Sequence, residues 1–235
     1  MAAGVCAGCI GVSQKKAISG VIGGTGADVK TCPLGVRPAD DGLVDDFEDG
    51  NNQLTVVGGR DGYWWPKIDT AGSTLNPTPF ASSTDAGDGS DGAMHVWGKT
   101  ASGDPTLAWG AGFGVNLRDQ TAIYDASRYA GVVFKAKVGP GASTSVRFNI
   151  GDINTHPAGG ICKTGCWNHF GKYLVLTTQW KEYKVLFSEA RQKPDWGSPR
   201  PPSITPSKLV ELDWSIDPGQ TYDIWIDDVA FLDCK

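Results

Sequence analysis

The stretch Ser145 to Gly171, SVRFNIGDINTHPAGGICKTGCWNHFG, concentrates side chains able to do recognition chemistry. Val146, Phe148 and Ile150 alternate with Arg147 and Asn149, the period of a strand with one buried and one open face. Guanidinium and carboxamide groups on an open face donate and accept hydrogen bonds in fixed planes. Asp152 closes the strand. In the loop that follows, Cys162 and Cys166 form a local disulfide staple, with Trp167 and His169 directly after it. A polar strand running into a pinned, aromatic-tipped loop predicts a recognition surface. The rest of the chain is its scaffold.

That scaffold is 235 residues long, enough to bury a real core. High Gly and Pro with only two Met argues for many turns and few helices. Trp serves both cores and ligand platforms, so nine of them raise the weight of both roles. A formal charge of −5 disfavours nucleic acid or an anionic membrane as partner, and no apolar run is long enough for a membrane span. The six cysteines, Cys6, Cys9, Cys32, Cys162, Cys166 and Cys234, favour disulfides and a secreted or cell-surface location. Beyond Cys162–Cys166, one long-range link joins the N-terminal group to Cys234, and the rest of the pairing stays open. Cys6-x-x-Cys9 lacks the βαβ context of a redox pair. The opening MAAGVCAGCIGV lacks the basic n-region of an intact signal peptide.

Residues 1–42 show little periodicity and read as an N-terminal extension, tethered by disulfide. From Leu43 the pattern changes. LVDDFEDG is a first strand loaded with carboxylates, and Gln53–Gly58 continues or pairs with it. Gly59–Phe80 is a long loop or irregular pair of strands carrying Trp64 and Trp65, which point opposite ways if extended. Further strands are expected over Ala93–Lys99, Thr106–Leu117, Ala130–Val138, Tyr173–Thr178, Lys181–Phe187, Leu209–Ser215 and Tyr222–Leu232. Glycines at 110, 112 and 114 fit close backbone approach rather than a phosphate loop. Many short strands without an amphipathic helix predict an all-β antiparallel sandwich, one domain over residues 43–235.

VDDFEDG near the start and YDIWIDDVAFL at the end, with VRFNIGD and QWKEYKVLF between them, resemble the galactose-binding-like jelly-roll carbohydrate-binding modules, family 11 in particular. The resemblance implies a structural calcium between the first and last strands, with Asp46, Glu48 and Asp227 as ligands and Asp45 or Asp228 as alternates. Calcium takes six to eight oxygens, and it would neutralise carboxylates that otherwise repel. The resemblance also implies a concave sheet face that holds a polysaccharide or oligosaccharide, without catalysis, in a monomer. Arg147, Asn149 and Asp152 are then the polar contacts, and Trp167, His169 and Trp64 or Trp65 the ring contacts. Trp109, Trp180 and Trp225 read as core or wall residues, and His95 and His156 as ordinary hydrogen-bonded histidines.

The leading alternative is a polysaccharide-active enzyme, a glycoside hydrolase or lyase on the same fold. A hydrolase needs two carboxyls flanking the bond, and glutamates are few here: Glu48, Glu182, Glu189 and Glu211. A lyase reading draws on Arg147, His169 and Tyr173, and no Gly-x-Ser-x-Gly nucleophile is present. A zinc reading of Cys162, Cys166 and His169 lacks a fourth ligand. An adhesion domain would share the same fold.

Overall fold

Stretches of alternating polarity become strands in the computed structural model, which describes residues 29–84, 86, 89–119 and 122–235. They are β1 Val36–Asp45, β2 Trp64–Ile68, β3 Thr74–Asn76, β4 Met94–Lys99, β5 Ala111–Asn116, β6 Gly131–Val138, β7 Ser145–Asp152, β8 Phe170–Val175, β9 Lys181–Leu186, β10 Leu209–Ile216 and β11 Thr221–Cys234. Among the described residues every pairing between these strands is antiparallel. One sheet of five strands runs β2-β5-β10-β7-β8. The other, of six, runs β3-β4-β11-β6-β9 with β1 added to β11. The fold is an all-β sandwich.

Each strand sends alternate side chains between the sheets. Phe113 of β5, Phe148 of β7 and Trp214 of β10 meet Phe134 of β6 there, all fully buried. Trp214 is the centre of that cluster: Phe113 stacks on it at 5.6 Å, Phe148 lies at 4.9 Å and Phe134 meets it edge-on at 5.1 Å. Such pairs add about 0.5–1.5 kcal/mol each beyond the area they remove from water. Trp64 belongs to this core too, stacked on Trp214 at 5.7 Å with its indole N–H donating to Asp45 at 2.6 Å.

The long last strand organises the six-stranded sheet. Its first half pairs with β4 (Thr221 opposite Lys99) and its second half with β1 (Val36 opposite Cys234). Between them the register against β6 shifts between Asp227 and Ala230, and Asp228 takes φ +49°. This bulge changes which parity faces inward: Tyr222, Ile224 and Ile226 are buried before it, Val229 and Phe231 after it. β1 starts at Val36, inside the stretch read from sequence as extension, because residues 36–38 pair with the end of β11. A Cys32–Cys234 disulfide fastens that pairing, and Cys162–Cys166 closes the loop before β8. Cys6 and Cys9 lie outside the described residues. Arg60, fully buried, donates to the carbonyls of Asp41 and Leu43 at 2.7 Å and locks β1 from beneath.

Candidate functional site

The outward face of the five-stranded sheet carries a row of polar side chains set by register. Asp213 of β10 lies opposite Gly114 of β5 on one side and Asn149 of β7 on the other. Ser215 lies opposite Gly112 and Arg147. Farther out, Trp65 and Lys67 of β2 lie opposite Gly114 and Gly112, while Tyr173 of β8 lies opposite Arg147. Glycine is required where these side chains lie flat across their neighbours. A Cβ on Gly114 would sit 2.8 Å from both the Trp65 ring and Asp213, and one on Gly112 would sit 2.8 Å from the Lys67 stem. The spaced glycines seen in the sequence therefore clear a floor.

On that floor the polar groups form one network. Asp213 Oδ1 accepts from Lys67 Nζ at 2.7 Å, Asn149 Nδ2 at 2.9 Å and Ser215 Oγ at 2.7 Å. Asn149 Oδ1 accepts from Arg147 Nε at 2.8 Å, and Arg147 Nη2 donates to the Arg191 carbonyl at 2.7 Å. Burial pushes the Asp213 carboxyl up, but the Lys67 charge and its hydrogen bonds outweigh that and hold it below the usual range. Burial lowers the Arg147 guanidinium. His169, directly before β8, places Nε2 2.5 Å from Glu211 Oε1, and its Nδ1 lies 2.7 Å from Thr155 Oγ1. Among the described residues, His169, Glu211 and Asp213 form a buried group that could hold a metal, their ligand atoms within 4.8 Å of one another.

Two aromatic rings flank the row on opposite edge strands. Trp65 is partly exposed, with its indole N–H on Asn116 Oδ1 at 3.0 Å and Lys67 Nζ 5.8 Å from its ring centroid. Tyr173 is 47% exposed, backed by the Arg147 guanidinium at 5.2 Å, and its hydroxyl donates to Asp217 at 3.2 Å. Four strand spacings separate β2 from β8, so the rings stand on the order of 19 Å apart at ~4.8 Å per strand.

Solved structures share this architecture. A family 11 carbohydrate-binding module from Clostridium thermocellum, in complex with a β-1,3-1,4-mixed-linked tetrasaccharide, is 14% identical with a TM-score of 0.52 over 82% of this chain and 95% of that one. The family 11 module of the cellulosomal cellulase Lic26A-Cel5E of Clostridium thermocellum is also 14% identical, with a TM-score of 0.53 over 84% and 94%. A family 30 carbohydrate-binding module is 12% identical, with a TM-score of 0.51 over 73% and 82%. The fold is that of these carbohydrate-binding modules. No protein-family profile matches the chain, and no curated protein matches it by sequence.

On this module fold the residues singled out from sequence separate by strand parity. Arg147, Asn149, His169 and Trp65 share the outward face. Arg147, Asn149 and His169 are buried there rather than open to solvent as the alternation predicts, because they are taken up in the hydrogen-bond network. Trp65 is partly exposed. Trp64 points into the core, as its opposite parity to Trp65 dictates. Asp152 also points inward and is buried. Its carboxylate accepts from the backbone N–H groups of Asn154 and Thr155 at 3.1 Å and of Thr205 at 2.8 Å, which makes it the anchor of the following loop. Trp167 is 56% exposed on that loop at φ +69°, edge-on to His156. Trp225 is buried under a stacked His95 at 3.7 Å, whereas Trp109, read as core or wall, is 45% exposed. Lys67, Asp213 and Ser215 were not singled out from sequence. The signal for them is the alternation of ELDWSI, with Leu212 and Trp214 turned inward.

Of the acidic residues expected near both chain ends, Glu48 accepts from Ser90 Oγ and from the N–H groups of Asp91 and Gly92 at 3.1 and 3.3 Å. Asp227 is buried with Oδ2 unpartnered, and Oδ1 accepts from Asp228 N–H at 2.7 Å. Ser90 Oγ, which donates to Glu48, also lies 3.0 Å from the Gly92 carbonyl. Asp46 is half-buried, its Oδ1 3.4 Å from Glu48 N. Burial raises the carboxyls of Asp45 and Asp227 to about 7 and about 6.

Proposed function

We propose that this protein is an extracellular, noncatalytic carbohydrate-binding module that holds a polysaccharide across the outward face of its five-stranded sheet. The observation that carries this reading is the partly exposed ring of Trp65 and the exposed ring of Tyr173, which flank one polar row. Lys67 of that row reaches solvent, while Asp213, Asn149 and Arg147 are buried and hold it in place. Aromatic faces stack on the C–H faces of sugar rings, and charge-bearing planar groups pair with hydroxyls. The separation of the two rings fits a chain of several sugar units rather than one. Trp167, on the neighbouring loop, extends the aromatic surface. The protein acts as a monomer, with its β domain preceded by the N-terminal extension.

A calcium ion held near Asp46, Glu48 and Asp227 belongs to this reading. It is supported by the unpartnered, buried Asp227 Oδ2. Calcium bound there would supply positive charge to carboxylates from both chain ends.

The mixed-linkage tetrasaccharide bound by the family 11 structure makes mixed-linkage β-glucan the first polymer to test, followed by xylans and mannans. In affinity electrophoresis the chain is expected to be retarded by one of these polymers. Trp65→Ala and Tyr173→Ala should each reduce the retardation at unchanged melting temperature, with no reducing sugar released. Absence of retardation on all of them, with calcium present, refutes the reading.

A further inference from the structure

We propose that His169, Glu211 and Asp213 form a binding site for a first-row transition-metal dication, zinc being the simplest case. The three side chains are 2%, 4% and 1% exposed, and one ligand atom from each falls within a 4.8 Å cluster. Proximity of acidic groups alone would carry little. The state of their individual atoms carries more.

The first observation concerns the imidazole. Thr155 Oγ1 donates to the Asp152 carbonyl at 2.9 Å, and a carbonyl can only accept. The hydroxyl has one hydrogen, so toward His169 Nδ1, at 2.7 Å, its oxygen accepts. The proton of a neutral His169 therefore sits on Nδ1, and Nε2 presents a lone pair to the carboxylates. Fixing the tautomer through the other ring nitrogen is the common arrangement for a metal-binding histidine.

The second observation is that two atoms of the cluster lack a partner. His169 Nε2 lies 2.5 Å from Glu211 Oε1, yet the pair is out of line for a hydrogen bond, and Nε2 has none. Asp213 Oδ2 has none either, although Oδ1 of the same carboxylate accepts from Lys67, Asn149 and Ser215. A buried polar atom left unpaired is costly. Here a nitrogen lone pair and carboxylate oxygens are gathered in one place without the hydrogens that would satisfy them. A dication satisfies all of them at once.

The donor set selects the metal. One imidazole nitrogen with two carboxylates suits zinc and its neighbours, whereas calcium and magnesium prefer oxygen alone. Three protein ligands leave a coordination position for water or another oxygen donor. Lys67, Asn149 and Ser215 hold the Asp213 ligand from behind, as Thr155 holds His169. The site differs in place and donor type from the acidic residues near the chain ends.

The test is a Co2+ titration of the full oxidised chain, followed in the visible, after alkylating its free thiols so that Cys6 and Cys9 contribute nothing. One equivalent should bind with d–d bands, displaced by Zn2+ but not by Ca2+. His169→Ala and Glu211→Gln should each weaken binding by about tenfold or more, and Thr155→Val by about tenfold through release of the tautomer. If His169→Ala does not fold, the near-isosteric Glu211→Gln decides. No saturable Co2+ binding, binding unchanged in Glu211→Gln, or displacement by Ca2+ as readily as by Zn2+ overturns the proposal. The readout is metal alone, so it fails or succeeds independently of carbohydrate binding.

Discussion

At the scale of single residues, the outward face of the five-stranded sheet depends as much on absent side chains as on present ones. Gly114 leaves the space in which Trp65 and Asp213 lie, and its missing Cβ would also meet the Leu212 carbonyl at 2.6 Å. Gly114→Ala should therefore push backbone and ring apart together, costing about 1–3 kcal/mol as overpacking does. Polysaccharide retention should fall more than stability, because the Trp65 ring is displaced. Equal retention and an unchanged urea midpoint would show the ring to be free to move. Residues of this kind are legible in a sequence as spaced glycines, but their purpose is not. Gly112 and Gly114 are explained only once β2 is known to pair with β5, and that pairing spans residues far apart in the chain. The same limit hid Asp213. Its alternation within ELDWSI is plain, whereas Lys67 and Asn149, which give it a role, come from distant strands.

At the scale of elements, the strands with marked apolar patterning were legible: β6, β7, β9, β10 and, despite its bulge, β11 fall within a residue or two of where polarity places them. Where local hydrogen bonding competes, they were not. Gln53–Gly58 makes one isolated bridge, Gln53 to Tyr63, instead of a strand. The segment before Ala111 turns because the Asp104 carbonyl accepts from the N–H groups of Leu107 and Ala108. Asp69 is the comparable device at the end of β2. Its carboxylate accepts from Ala71 N–H at 3.0 Å, Ser73 N–H at 3.2 Å, Ser73 Oγ at 2.8 Å and Gly110 N–H at 2.9 Å, tying the exit of β2 to the entrance of β5. Burial pushes this carboxyl up, but the donors outweigh it and hold it below the usual range. A depressed folded value stabilises above the unfolded pKa of about 3.9 and loses that contribution as pH falls through the folded value. Asp69→Ala should cost about 1–3 kcal/mol at neutral pH, chiefly by orphaning the buried Gly110 N–H. In urea titrations at neutral pH and about pH 3, the gap between wild type and variant should narrow on the acid side. A gap independent of pH would remove the carboxylate from the account.

At the scale of the whole molecule, the two ends of the described chain are fastened to each other. β1 pairs with the second half of β11, and Cys32–Cys234 closes a separation of 202 residues. By loop entropy alone such a cross-link is worth about 5 kcal/mol, an upper figure where the unfolded chain keeps structure. A calcium near Asp227 would brace the same seam by a different physics, through occupancy, which adds about 2.7 kcal/mol at a hundredfold excess over its dissociation constant. The two contributions are separable. EDTA should lower the melting temperature of the oxidised protein, and Ca2+ should restore it, with His169→Ala as background so that a metal at the other site plays no part. Cys234→Ser should lower the melting temperature with or without calcium. With the disulfide gone, the calcium-dependent increment should persist, because Glu48 is held by Ser90, Asp91 and Gly92 and Asp227 by its pairing with β6, none of them through the sulfurs. A melting curve indifferent to EDTA would leave the seam to the disulfide and to strand pairing. Loss of the calcium increment in Cys234→Ser would instead mean that the covalent link assembles the acidic site.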